Sequence, residues 1–506
     1  MNPTKQTLTL LEKQLTLSRF LLRSMSLWKH KAYVNGEWVD AASGNQFEVK
    51  NPANGKVLGK VPDMNDKDTE KALEDANTAF KEWSKTTGKE RGIALRKWYD
   101  LLVQNKQALA EILTAEAGKP IPESLGEVDY GNAFVDWFAE EARRSYGEVV
   151  PSPVKSKEML LIRQPIGVTS LITPWNFPYA MITRKAGAAI AAGCTCVVKP
   201  AEDTPYTALA IAELAHQAGI PKGVYNVVTS DRKNAPAIGK VLSQHPLVAG
   251  LSFTGSTEVG KLLYQQCAVG VKRIALELGG NAPFMVFESA DMDLTIQGAL
   301  ASKFRNCGQT CISANRFLIH ESRYDEFISK FSERIKALKI GDGAQPGVLV
   351  GPLINQAQVK KITRIVDDAI KKGANVLLGG KPAPNYGELY YEPTLITDIT
   401  PAMDCYLEEI FGPVAVCIKF KTEEECVEIA NMTRRGLAGY FYTEDIRQAW
   451  RVAKNLEVGM VGVNESLISA AEAAFGGIKE SGIGREGSKH GLDDFSYIKY
   501  VCFGSL

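Results

Sequence analysis

The chain has 506 residues, 45% apolar and 23% charged, with 59 Lys and Arg against 58 Asp and Glu and a formal net charge of +1. That length exceeds what one hydrophobic core usually supports, so two or three packed units are expected, and the balanced charge excludes a bulk positive field for nucleic acid. The longest charge-free run near the middle, residues 186–198, is too short to cross a bilayer, and nine cysteines without framework spacing fit a reducing compartment.

Residues 1–30 differ from the rest. Lys5, Lys13, Arg19, Arg23 and Lys29 oppose the single acid Glu12, and Leu10, Leu11, Leu17, Leu21 and Leu22 would gather on part of a helix. This is the pattern of a mitochondrial transit segment; the alternative is a cytosolic extension. From Asp66 the spacing of Ala72, Leu73, Ala76, Ala79, Phe80 and Trp83 predicts a helix, with similar helices to about Tyr146. Pro151 and Pro153 break that pattern and mark a boundary or an extended arm. Short apolar runs then alternate with helices: 167–173, 195–199, a helix over 204–219, 224–228 and 251–254. These are βαβ units around a parallel sheet. A second α/β unit is expected from near Pro283, with a strand at 284–287, a helix through Tyr324, Phe327, Phe331 and Ile335, and a strand at 414–420. The β-prone tail 497–503 is far from any partner in sequence and is expected to pair across a domain or subunit boundary.

Four polar motifs share one position, the carboxyl end of an apolar strand-like run. They are Pro174-Trp175-Asn176, Lys199-Pro200-Ala201-Glu202, the stretch from Gly255 and Ser256 to Gly260, and Glu277. Open parallel sheets bind ligands in the crevice outside those ends. The 255–260 stretch would open a helix whose free N–H groups suit a pyrophosphate, although Thr257 replaces the middle glycine of the dinucleotide fingerprint. Lys199 and Glu202 could bind a ribose, and a carboxylate there repels a 2′-phosphate, which favours NAD over NADP. About 35 residues past Glu277, Gly308-Gln309-Thr310-Cys311 pairs a thiol with an upstream carboxylate, the chemistry of a covalent nucleophile released by a general base. Cys194 and Cys196 lack the second pair or histidines of a zinc site, and no metal is expected.

These motifs, with Leu276-Glu277-Leu278-Gly279-Gly280, Glu409-Ile410-Phe411-Gly412-Pro413 and Phe475-Gly476-Gly477-Ile478-Lys479, resemble the aldehyde dehydrogenase superfamily in order across residues 32–506. Within it, the segments around Arg184, Arg305 and Arg485 resemble the succinate-semialdehyde dehydrogenase branch. The resemblance implies an α/β fold: a Rossmann-type NAD-binding domain (32–142 and 164–282), an α/β catalytic domain (283–480) and a small β oligomerisation arm (143–163 and 490–506). It implies NAD-dependent oxidation of succinate semialdehyde to succinate by a homotetramer in the mitochondrial matrix. Cys311 would be the nucleophile, Asn176 with the Cys311 N–H the oxyanion donors, and Glu277 the base. Lys199 and Glu202 would hold the adenosine ribose, Ser256 the pyrophosphate and Glu409 the nicotinamide ribose beside Phe411, with Trp175, Gly255 and Gly260 in the same crevice. Arg184, Arg305 and Ser469 would bind the substrate carboxylate.

Two departures matter. Ser313 stands where some relatives carry a second cysteine that forms a redox disulfide with the nucleophile, and Arg435 stands where an aromatic is more usual. Cys307, four residues before Cys311, is an alternative bridging partner. Rival readings are a dehydrogenase for glutarate semialdehyde or a neutral aliphatic aldehyde, and a cysteine hydrolase, for which none of the five histidines stands in a recognised motif.

Overall fold

The protein is described here by a computed structural model covering residues 27–505. The expected transit segment lies outside the described residues except for its last four. Those four pack on the fold: Leu27 is buried, Trp28 meets the Tyr206 ring edge-on at 5.0 Å, Lys29 pairs with Glu213 at 3.0 Å, and His30 shares a 3.0 Å hydrogen bond with the Tyr206 hydroxyl.

The amino-terminal helices start where their caps dictate. Asn65 and Thr87 each accept from the backbone N–H three residues on, while Asp68 and Glu90 reach back to the cap, so Asp66–Trp83 and Gly88–Gln104 both open with a capping box. Each buries an apolar stripe, Leu73 and Ala76 in the first, Leu95, Trp98 and Leu102 in the second. The long helix Ile121–Glu141 buries Phe134, Val135 and Phe138, and also Ser124, Glu127 and Asn132.

The first sheet has eight strands, ordered Glu37–Val39, Ala32–Val34, Tyr225–Val227, Thr195–Lys199, Val168–Ile172, Val248–Thr254, Arg273–Glu277 and Gly482–Ile483. The five from Tyr225–Val227 to Arg273–Glu277 run parallel, and the outer ones antiparallel. Ile172 lies opposite Lys199 and Phe253, and Thr254 opposite Glu277, so the four motifs do emerge along one edge. The second sheet is ordered Asn375–Leu378, Thr394–Thr397, Val414–Phe420, Ala314–His320, Ala282–Val286, Ala438–Tyr442 and Met460–Val463, all parallel except the first. Its central strands are buried on both faces, as a parallel sheet covered by helices requires. The tail Ser496–Gly504 pairs antiparallel with Lys157–Pro165 of its own chain over nine residues, and Glu148–Val150 completes that three-stranded arm. Its partner is therefore the proline-flanked arm segment some 330 residues upstream. Among the described residues no helix is long and apolar enough to cross a membrane.

Candidate active site

The site lies where the carboxyl edge of the first sheet meets the amino edge of the second. Glu277 ends its strand, and three residues later Gly280 packs so closely on the nucleophile loop that a Cβ there would stand 2.2 Å from the Cys311 carbonyl oxygen. Cys311 itself follows the helix Met292–Phe304 and precedes the strand Ala314–His320. Between them the chain turns sharply: Asn306, Cys307 and Gly308 all have positive φ (52°, 56° and 72°). Asn tolerates that region, a cysteine rarely does, and a Cβ on Gly308 would sit 2.1 Å from the Gly412 carbonyl. The turn brings the Gln309 carbonyl to the Asn176 side-chain amide, which donates to it at 3.0 Å. Gln309 in turn accepts the Ile354 N–H at 3.0 Å, and the Tyr440 hydroxyl holds the Ile312 carbonyl at 2.8 Å, so the loop is pinned on both sides of the thiol.

A cavity of about 390 Å³ opens on Cys311. Its walls include Arg184, Arg305, Tyr130, Ser469, Phe177 and Phe475. Arg184 is fully buried on the helix Ala180–Ala192, ion-paired with Glu486 and stacked over the Phe475 ring at 4.5 Å, and neither of its terminal nitrogens has a hydrogen-bond partner. The neighbouring Lys185 binds the same Glu486 carboxylate. The Tyr130 hydroxyl is also buried, beside Arg184 and Ser469 but without a well-aligned hydrogen bond to either. Buried donors left open cost free energy unless a ligand takes them. Arg305 faces the Phe177 ring at 5.6 Å and has no ion-pair partner among the described residues. The two sequence-predicted arginines and Ser469 thus meet in one cavity with Cys311.

Electrostatics oppose ionisation of the two candidate reacting groups, Glu277 and Cys311. Burial, then Glu486, push the Glu277 carboxyl up to about 8, while Arg184, Lys185 and Arg485 pull it down. Burial pushes the Cys311 thiol up to about 12; Glu277 and Glu409 add to this, and Arg184 and Arg305 counter it. One Glu277 oxygen is buried without a partner. Burial therefore favours the neutral form of both groups, and the arginines are the charges that favour a thiolate.

The candidate cofactor crevice is built from the motifs along the first sheet. Ser256 caps the helix Thr257–Ala268 and is exposed at its start, while the adjacent Thr254 hydroxyl is buried and unpartnered. Gly260 lets that helix sit on Leu278, where a Cβ would come within 2.4 Å, and Gly255 bonds the Glu277 carbonyl at 3.1 Å. Lys199 is buried with its ammonium on the Pro200 carbonyl at 2.9 Å, and Glu202 lies 3.5 Å from Arg232. Glu409 accepts the Gly280 N–H at 2.9 Å, and Trp175 meets Phe411 edge-on at 5.6 Å. An open helix N-terminus, an orphaned hydroxyl and the nearby carboxylates of Glu202 and Glu409 fit a dinucleotide. Arg435 bonds the Thr257 hydroxyl and the Glu480 carbonyl and lies 3.7 Å from Glu258, which ties the first turn of that helix to the 478–483 segment.

Cys307 and Cys311 are both free. Cys307 is buried in the cluster of Leu353, Ile362 and Ile410, and Cys311 packs against that of Phe304, Ile312 and Phe475, so a bridge requires the left-handed turn to rearrange. Tyr130, Glu123, Lys119 and Phe177 were not singled out from sequence. Glu123, Glu127 and Tyr130 recur at helical spacing, a polar stripe where a core-facing helix should be apolar, and that is the signal which could have found Glu123 and Tyr130; Lys119 and Phe177 lie outside that helix. No three-residue His/Cys/Asp/Glu group among the described residues could hold a metal ion.

An aldehyde dehydrogenase family profile matches residues 38–501. The mitochondrial succinate-semialdehyde dehydrogenase of Homo sapiens is 53% identical over 484 residues, covering 96% of this chain and 90% of its own. Succinate-semialdehyde dehydrogenase from Burkholderia pseudomallei superposes with a TM-score of 0.93 at 51% identity, covering 95% of this chain and 98% of its own. An E. coli NADP dependent enzyme gives 0.93 at 49% identity, with 95% and 99% covered. With about half its residues shared across nearly the whole of each relative, and one fold throughout, the chain belongs to the aldehyde dehydrogenase family.

Proposed function

We propose that this chain oxidises succinate semialdehyde to succinate with NAD as the hydride acceptor, through a thioester on Cys311. The observation that carries the reading is the single cavity that holds Cys311, Arg184 and Arg305 together. Arg305, without an ion pair, and the open nitrogens of Arg184 suit a carboxylate, while Tyr130 and Ser469 supply neutral donors beside them. The Cys311 thiol gives up its proton to solvent, and the thiolate, favoured by Arg184 and Arg305, adds to the aldehyde carbon while the carbonyl electron pair moves to oxygen, where the Asn176 amide and the Cys311 N–H hold it. Donors aimed at such a charge contribute about 3 to 4 kcal/mol each. When bound, the nicotinamide cofactor supplies the acceptor for the hydride that leaves the carbon as the carbonyl re-forms. Glu277, as a carboxylate, then removes a proton from the water that attacks the thioester, and the acid leaves with the thiol restored.

Lys199 and Glu202 are assigned to the adenosine ribose, Ser256 to the pyrophosphate and Glu409 to the nicotinamide ribose. Glu202 favours NAD. Arg232, 3.5 Å from that carboxylate, favours the second reading, NADP, because a guanidinium there could pair with a 2′-phosphate. The relatives' name and the basic 1–30 segment support a mitochondrial location, with processing before Leu27, since residues 27–30 are packed. Self-association, read here as a homotetramer, is supported by the arm strand Ser496–Gly504, which leaves Ile498, Tyr500 and Phe503 exposed. The test is the rate of NADH or NADPH formation with succinate semialdehyde, glutarate semialdehyde and butyraldehyde. A preference for the neutral aldehyde would overturn the substrate, and a preference for NADP would overturn the cofactor.

A further inference from the structure

The helix Ile121–Glu141 and the residues just before it place two charges beneath the cavity that the proposed chemistry does not use. Lys119 is 2% exposed, and its ammonium donates to the Glu127 carboxylate and, at 2.7 Å, to the backbone carbonyl of Asn176. Its remaining face lies 4.0 Å from the centre of the Phe177 ring. An ammonium has three donors, and these three neighbours occupy them, so Lys119 is not free to take a substrate carboxylate although it borders the cavity. The Asn176 carbonyl also accepts from the Asn306 side chain at 2.9 Å, and that same amide reaches the Gln309 carbonyl at 3.2 Å. Asn176 is therefore gripped through its backbone by Lys119 and Asn306 and through its side chain by the nucleophile loop. One N–H of its amide is committed to Gln309. The direction of the other follows from where the backbone is held.

The far end of the ion pair is anchored as well. The other Glu127 oxygen accepts the N–H groups of Tyr179 (2.9 Å) and Ala180 (3.2 Å), at the start of the helix that carries Arg184. One buried pair thus links the Asn176 turn to the helix bearing the carboxylate clamp.

We propose that Lys119 is a positioning residue: paired with Glu127, it fixes the Asn176 backbone so that the free amide N–H points at the oxyanion. This rests on the assignment of Asn176 as an oxyanion donor. The proposed effect appears in the chemical step and not in binding. An oxyanion donor displaced by about 1 Å loses much of its stabilisation, which amounts to a ten- to hundredfold slower step, about.

The experiment compares Lys119→Met with Lys119→Met/Glu127→Gln, the second leaving no bare carboxylate in the core while the glutamine carbonyl can still accept from Tyr179 and Ala180. Thermal melts establish folding, and NADH fluorescence titration measures cofactor binding. The pre-steady-state rate of NADH formation reads the chemical step. The expected result is a slowing of about ten- to hundredfold with KM for succinate semialdehyde and NADH affinity within about twofold of the parent. A rise in KM with an unchanged rate would mean that Lys119 attracts the substrate, and would overturn the proposal. The same change is then made in Asn176→Ala. Because Lys119 acts through Asn176, it should cost less than about threefold there. If the full factor persists, the positioning role is wrong while the oxyanion role stands; if Asn176→Ala is itself without effect, it is the oxyanion assignment that falls.

Discussion

Arg305→Ala isolates the carboxylate clamp. Arg305 has no ion pair to leave broken, unlike Arg184, whose loss would leave Glu486 with Lys185 as its remaining partner beside Glu277. A charge-assisted hydrogen bond to a carboxylate contributes about 1.5 to 3 kcal/mol, and at about 1.4 kcal/mol per decade its loss lowers kcat/KM for succinate semialdehyde about ten- to 150-fold. Arg305 also favours the Cys311 thiolate, so the variant slows attack on any aldehyde. That contribution is common to all substrates and cancels in a ratio. The assay is therefore kcat/KM for succinate semialdehyde divided by kcat/KM for butyraldehyde, in parent and variant. The ratio should fall by about tenfold or more, and Arg305→Lys, which keeps the charge but loses the planar fork, should recover part of it. An unchanged ratio would refute the clamp, because it would leave Arg305 acting only through the thiol.

Three further outcomes follow from the geometry. Burial pushes the Glu277 carboxyl up to about 8, so if it is the base that acts as a carboxylate, thioester hydrolysis should rise about tenfold per pH unit below that value and level off above it. A flat profile from about pH 6 to 9 in single-turnover hydrolysis would remove it as the base, whereas Glu277→Gln should keep the NADH burst and accumulate an acyl adduct detectable by mass. Gly280→Ala places a Cβ 2.2 Å from the Cys311 carbonyl, so the nucleophile loop must move, and kcat should drop by about tenfold or more; an unimpaired rate would show that the loop can yield. Glu116 is fully buried, accepts the Tyr206 and Thr207 N–H groups, and is raised by burial to about 8. Its folded form holds the proton more tightly than the unfolded chain, so the stability it contributes is complete below about pH 4.5 and is lost as pH rises to about 8. Glu116→Gln should gain on the parent by up to about 1.4 kcal/mol per pH unit across that window in denaturant melts, and an equal pH dependence would contradict the buried-acid assignment.

Amino-acid sequence by itself determined the strand and helix order and where the chemistry-bearing motifs sit on it. Apolar alternation, caps and turn residues are local signals, and Lys199 and Glu277 end their strands while Ser256 stands two residues past its own, so a rule about strand ends was enough to group them. What only the tertiary structure decided is which surfaces face each other. Tyr130, Glu123 and Lys119 lie more than 170 residues before Cys311, and no local pattern indicates which face of a buried helix will line a cavity. The same holds for Gly280 against the Cys311 carbonyl, for Lys119 beneath Asn176, and for the tail strand on Lys157–Pro165. These contacts are set when segments distant in sequence pack or pair with one another. Their register depends on the packing of whole units, a long-range property that no window of neighbouring residues carries.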